Sequence, residues 1–80
     1  DRGEPHEARQ AAEKAVEISA ELRNHYAEAY RLLVLGDAQR ALGRPGEALS
    51  SYHRSVSLHR RLGDRSREAR AWQGAGLAFQ

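Results

Sequence analysis

The sequence predicts an all-α chain of four helices in antiparallel pairs, and three observations carry that prediction. The chain repeats itself at an offset of 40 residues, with ten positions identical between the halves: Gly3, Pro5, Glu7, Ala8, Val16, Leu22, Glu28, Ala29, Gly36 and Ala38 with their partners. A fixed period of this length marks a stacked repeat, in which each unit buries its apolar face only against its neighbours. Proline occurs only at positions 5 and 45, each time two residues after a glycine and just before the helix formers that dominate the rest. Apolar residues then recur at helical spacing, with no period-two alternation to suggest a strand.

The first helix is expected over residues 5–23. Proline is tolerated in a first helical turn, where its missing N–H has no partner anyway. Ala8, Ala12, Ala15, Ile18 and Leu22 are spaced 4, 3, 3 and 4, which makes one helix face. Asn24 stands at the break, where its side chain can accept from a free N–H of the next helix. That second helix is expected from His25 to Leu42, closed by Gly43. The third repeats the first from Pro45 to Leu62, with Ala48, Tyr52, Ser55, Leu58 and Leu62 at the same spacing. Gly63 ends it, Asp64 caps its successor, and the fourth helix is expected over residues 65–79. Connections of two to four residues force neighbouring helices to run antiparallel.

Bulk composition limits the possible roles. Eighty residues make one small domain, here 1–80, with units of about 3–42 and 43–80. Fourteen of the residues are alanine, while Leu, Ile, Val and Phe together number only 14. The core is therefore thin, with alanine where backbones approach. Thirteen basic residues, twelve of them arginine, are mixed with eleven acidic ones for a formal charge of +2. No cysteine is present to form a disulfide or a thiolate site. No apolar run approaches the length of a membrane span. The opening Asp1-Arg2-Gly3-Glu4 has neither a signal-peptide pattern nor an initiator Met, so a piece of a larger intracellular, cytoplasmic protein is expected.

Residues of the second and later helices resemble a known family. Leu32-x-x-Leu35-Gly36-x-x-Gln39 is similar to the W-x₂-L-G-x₂-Y core of the tetratricopeptide repeat. Glu47-Ala48-x-x-x-Tyr52-x-x-Ser55 resembles its second-helix pattern, and Trp72-x-x-Ala75-Gly76-x-x-Phe79 restarts the core. Leu32, Gln39 and Ser55 replace the usual Trp, Tyr and Ala. The period of 40 and the run Leu62-Gly63-Asp64-Arg65 look like the longer subclass. That subclass occurs in animal adaptor proteins of cell polarity and in C-terminal regions of bacterial multidomain regulators. The resemblance implies a right-handed solenoid whose first-type helices line a concave groove, and hence a protein-binding or regulatory sensing module with no catalytic role and no cofactor.

On that reading Leu32, Leu35, Gly36 and Gln39 form a core stripe. Tyr26, Tyr30, Leu33, Asp37 and Arg40 form a neighbouring stripe, matched on the last helix by Ser66, Arg70, Gln73, Leu77 and Gln80. The resemblance puts both on the concave wall, where aromatic and arginine side chains favour peptide binding. Tyr26 and Tyr30 either grip a peptide or cover the edge of a thin core. The Lys, Asn and Arg clamp that one subfamily uses for a terminal carboxylate is absent, with Leu33, Asp37 and Gln73 in its place. The alternative role is self-association. Uncapped repeat ends attract one another, which would place Trp72, Ala75 and Phe79, and likewise Ala8, Ala12 and Ala15, under another copy.

Two other chemistries are set aside. His6, His25, His53 and His59 read as surface residues, since His53 and His59, six apart, lie on different helix faces and cannot share a metal. Arg54, Arg60, Arg61, Arg65, Arg67 and Arg70 form the densest basic stretch. Asp64 and Glu68 interrupt it and no aromatic is interleaved for base stacking, so nucleic acid is not the expected partner.

Overall fold

A computed structural model describes residues 4–21 and 24–80. They form α1 (Glu4–Glu21), α2 (His25–Ala41), α3 (Pro45–Arg61) and α4 (Arg65–Leu77). Among the described residues there is no strand. The Gly3 turn, Leu22 of the first stripe and the expected end of α1 at Arg23 lie outside them. The helix α4 stops two residues short of the expected Phe79.

The caps follow from the residues at the breaks. The Asn24 side chain accepts from the Ala27 N–H at 3.1 Å, and Asp64 accepts from the Arg67 N–H at 3.0 Å. Both α2 and α3 end on a glycine at positive φ, Gly43 at 71° and Gly63 at 74°. The next residue turns back in each case, Arg44 N–H donating to the Gln39 carbonyl and Asp64 N–H to that of His59. This pair of bonds closes a helix end that only glycine enters without strain.

Each helix packs on its sequence neighbour, and α4 also touches α2, which gives sequential antiparallel pairs. The core has two parts. Ala12 and Val16 of α1 meet Leu32 and Leu35 of α2, with Leu58 alongside. Leu33, Ala48, Tyr52, Val56, Ala71, Ala75 and Ala78 join α2, α3 and α4. The stripe expected on α1 is therefore only partly inward. Ala12 is buried, Ala15 is half-buried, and Ala8 and Ile18 are exposed, because among the described residues α1 packs chiefly on α2. Its counterpart on α3 lies between two helices, and there Ala48, Tyr52 and Ser55 are fully buried.

Tyr52 is the largest buried side chain. Its ring lies against bare backbone on both sides. A Cβ added to Gly36 of α2 would sit 2.7 Å from a ring carbon, and one added to Gly74 of α4 would sit closer still. The 40-residue offset pairs Gly36 with Gly76, yet Gly76 faces open space. Since α4 meets α3 through Ala71, Gly74, Ala75 and Ala78, a different face serves from the one α2 turns to α3.

His59 corrects the expectation of surface histidines: it is buried. The Ser55 hydroxyl donates to the Ala29 carbonyl at 2.8 Å, so the 3.1 Å contact between Ser55 Oγ and His59 Nδ1 requires the proton on Nδ1. His59 Nε2 is then a buried nitrogen with no partner. Burial is the main cause that lowers the His59 pKa below the ordinary imidazole value; the Arg67 charge lowers it further, while Asp64, the Ser55 backbone and Glu68 pull the other way.

Two predictions follow from this packing. Gly74→Ala overpacks a ring that cannot retreat and costs about 1–3 kcal/mol. Gly76→Ala, at an open helical site, stabilises by up to about 1 kcal/mol. Urea unfolding of both variants checks the contrast. Above pH of about 6.5 His59 is neutral folded or unfolded and contributes no pH dependence. Below it the unfolded chain takes a proton that the folded chain refuses, so stability falls as pH falls. A urea series from neutral to mildly acidic pH shows this loss in the native chain and a smaller one in His59→Leu.

Candidate functional site

The wall shared by α2 and α4 holds most of the residues singled out in the sequence. At its N-terminal end Tyr26 is 64% exposed and Tyr30 is 43% exposed, so neither closes the core. The Arg67 guanidinium of α4 lies over the Tyr30 ring, 5.2 Å from its centroid. Asn24, Tyr26, Ala27, Tyr30, Arg31 and Arg67 enclose an open hollow of about 440 Å³. Amphipathic rings beside guanidinium groups suit a partner that brings both apolar and anionic groups.

One turn to two turns further along, the wall is wired by charge. The Tyr52 hydroxyl donates to Asp37 Oδ1 at 2.5 Å, and Arg70 Nη2 donates to Asp37 Oδ2 at 2.9 Å. Arg40 Nε donates to the Tyr52 oxygen at 3.3 Å, while its Nη2 lies 3.7 Å from Asp37 Oδ1. The network ties α2, α3 and α4 through one carboxylate. Burial, then donation to Asp37, pushes the Tyr52 hydroxyl above the ordinary phenol pKa. The Asp37 charge is met from two helices, by Arg40 of α2 and Arg70 of α4.

The expected stripe divides on this geometry. Tyr30 meets Arg67, with Tyr26 beside them in the hollow, while Arg40, Arg70 and Tyr52 meet at Asp37. Leu33 departs from the wall: at 5% exposure it sits in the core cluster with Tyr52 and is not available to a ligand. It points there because it lies one position along from Leu32, on the side of α2 that α3 and α4 cover. Gln73, Ser66 and Gln80 are exposed and Leu77 is half-buried. Of the residues expected under another copy, Ala75 and Ala12 are buried within the chain's own core, whereas Trp72 and Phe79 are exposed. Sequence reasoning missed Arg67 as a wall residue and Tyr52 as the organiser. The one available clue to Tyr52 is its bulk among the small residues of its stripe, Ala48 and Ser55.

A larger cleft of about 640 Å³ lies between α1, α2 and α3, with Glu13, Glu17 and Glu47 on its rim. Glu13 pairs with Arg9 and Glu47 with Arg44. It has no aromatic side chain to anchor a partner, so the smaller hollow is the better candidate.

The glutamates of α2 and α4 turn to other partners, Glu28 to His25 at 3.5 Å and Glu68 to Arg60 at 2.9 Å. The wall is thus left with Arg31, Arg40, Arg67 and Arg70 against two engaged carboxylates, Asp37 with Arg40 and Arg70 and Asp64 with Arg67 at 3.8 Å. No helix among the described residues is long and apolar enough to cross a membrane. A family model for the tetratricopeptide repeat matches residues 1–60. No curated protein and no solved structure matches the chain.

Asp37 serves two donors and Arg70 one acceptor, which orders their variants. Asp37→Ala strands the Tyr52 hydroxyl and costs about 1–3 kcal/mol. Arg70→Met breaks only a half-exposed pair and costs under about 1 kcal/mol. A thermal or urea series gives the order, and a reversed order contradicts this wiring.

Proposed function

Because the chain belongs to the tetratricopeptide repeat family, whose members serve generally as protein–protein interaction modules, we propose that it captures an extended acidic segment of a partner protein along the α2–α4 wall. In the family's solenoid this wall is the concave face. The observation that carries the reading is the pairing of exposed Tyr26 and Tyr30 with an arginine-rich, acid-poor surface. The tyrosines supply rigid apolar contact at small entropic cost, and Arg31, Arg67 and Arg70 supply charge-assisted hydrogen bonds. Asp37 acts from beneath as a positioning residue that fixes Arg70. Gln73 and Leu77 extend the wall along α4, with Arg40 at its far end.

The same proposal includes the longer, 40-residue subclass, supported by the period and the Leu62-Gly63-Asp64-Arg65 run, and a regulatory or sensing role within a larger protein, supported by resemblance to that subclass. The segment recognised is set by charge and by apolar spacing rather than by a terminal carboxylate, since the residues of that clamp are replaced.

A labelled peptide of alternating Glu and Leu is the probe, with a Lys and Leu peptide of equal length as control. Fluorescence anisotropy is expected to show binding of the acidic peptide alone, weakening as salt is added. Tyr26→Ser and Tyr30→Ser each weaken it roughly tenfold, the loss of a contact of about 1.4 kcal/mol. Equal binding of the two peptides, no binding of either, or no effect of the double tyrosine variant overturns the reading.

A further inference from the structure

One face of α4 is left largely open by α3, although the Trp72 ring meets His53 of α3 edge-on with centroids 5.6 Å apart. Trp72 is 47% exposed and Phe79 is 67% exposed, and Gly76 and Ala69 lie between and beside them without cover. Displaced by 40 residues, these four positions are Leu32, Gln39, Gly36 and Ala29 of α2, and all four are buried. What α3 brings to that α2 face is specific. Tyr52 lies on Gly36, Ser51 donates to Gln39 at 2.6 Å, Ser55 donates to the Ala29 carbonyl, and Leu58 packs beside Leu32.

The repeat supplies the equivalents of these α3 residues on α1, as Ala12, Ala11, Ala15 and Ile18. Ala11 is exposed, Ile18 is 46% exposed and Ala15 is half-buried. The two open faces also match in size, and the helices that bear them carry opposite net charges. Where α3 sets a large Tyr52 on a small Gly36, α4 offers large Trp72 and Phe79 to the alanines of α1. The polar Ser51–Gln39 pair becomes an apolar Ala11–Phe79 pair. By sequence α1 has five acidic and two basic residues, and α4 has three arginines and one glutamate.

We propose that α1 of a second copy seats on the Trp72–Gly76–Phe79 face of α4, continuing the α2–α3 packing from one molecule into the next. The contact is heterologous, since the two surfaces differ, so it builds an open-ended row of copies rather than a closed pair. Opposite net charges on α1 and α4 favour that pairing over the symmetric meeting of two α4 faces. Neither Tyr26 nor Tyr30 lies in the contact, so stacking and peptide capture fail independently.

Sedimentation of the whole chain over a concentration series tests this. The average mass is expected to rise past that of a dimer and to fall with added salt. Trp72→Glu blocks the α4 face and Ala11→Arg blocks the α1 face, so each variant alone is a monomer of 8.9 kDa. Mixed, they are expected to form a one-to-one dimer that grows no further. Circular dichroism verifies that each variant is still helical. If Trp72→Glu is not, Phe79→Asp, beyond the last residue of α4, takes its place. A wild-type monomer throughout overturns the proposal. So does association that survives Ala11→Arg but not the α4 variants, which identifies symmetric α4–α4 pairing.

Discussion

One buried ring sets the spacing of three helices. Tyr52 of α3 occupies the gap between Gly36 of α2 and Gly74 of α4, and neither neighbour has a side chain with which to yield. Its hydroxyl reaches Asp37, which also accepts from Arg70. The ring thus holds the two first-type helices apart at a fixed distance, and its polar tip ties their surfaces together. Interiors packed this closely transmit a change at one contact to the next. The floor of the wall and the ion pair on its surface are for this reason one unit.

The rest of the core is unusually polar for a chain this small. Ser51 meets Gln39 and Ser55 meets the Ala29 carbonyl, so the α2–α3 seam is held by directed bonds as well as by apolar area. With few large aliphatic side chains available, such bonds specify register where bulk alone would not. The α1–α2 seam, by contrast, rests on Ala12, Val16, Leu32 and Leu35.

Much of this was legible in the sequence because it is local. Helix starts and ends depend on single residues at the breaks, and Asn24, Gly43, Gly63 and Asp64 each act within a few positions of themselves. The repeat likewise exposed the pairing of helices. What escaped notice depends on neighbours distant in sequence. A helical stripe shows which residues share a face but not how many helices cover it, so Ile18 looked inward and is open while Leu33 looked outward and is closed. Helix α4 packs through Gly74 rather than Gly76 because it has a neighbour on one side only. His59 shares the face of Ser55 one turn on, yet a histidine gives no sign of burial until the Ser55–Ala29 bond fixes its tautomer. On the wall, Tyr26 and Tyr30 stood out by residue type, whereas Arg67 joins them only through the approach of α4 to α2.

The joints between helices bear on how such a surface meets a visitor. Asp64 turns back to close α3 and at the same time caps α4, and Arg44 closes α2 immediately before Pro45 opens α3. No residue at either joint is spare, so the angle between successive helices has no slack to lose. A molecule that settles on the α2–α4 wall finds it already shaped, and little conformational entropy is surrendered in the encounter.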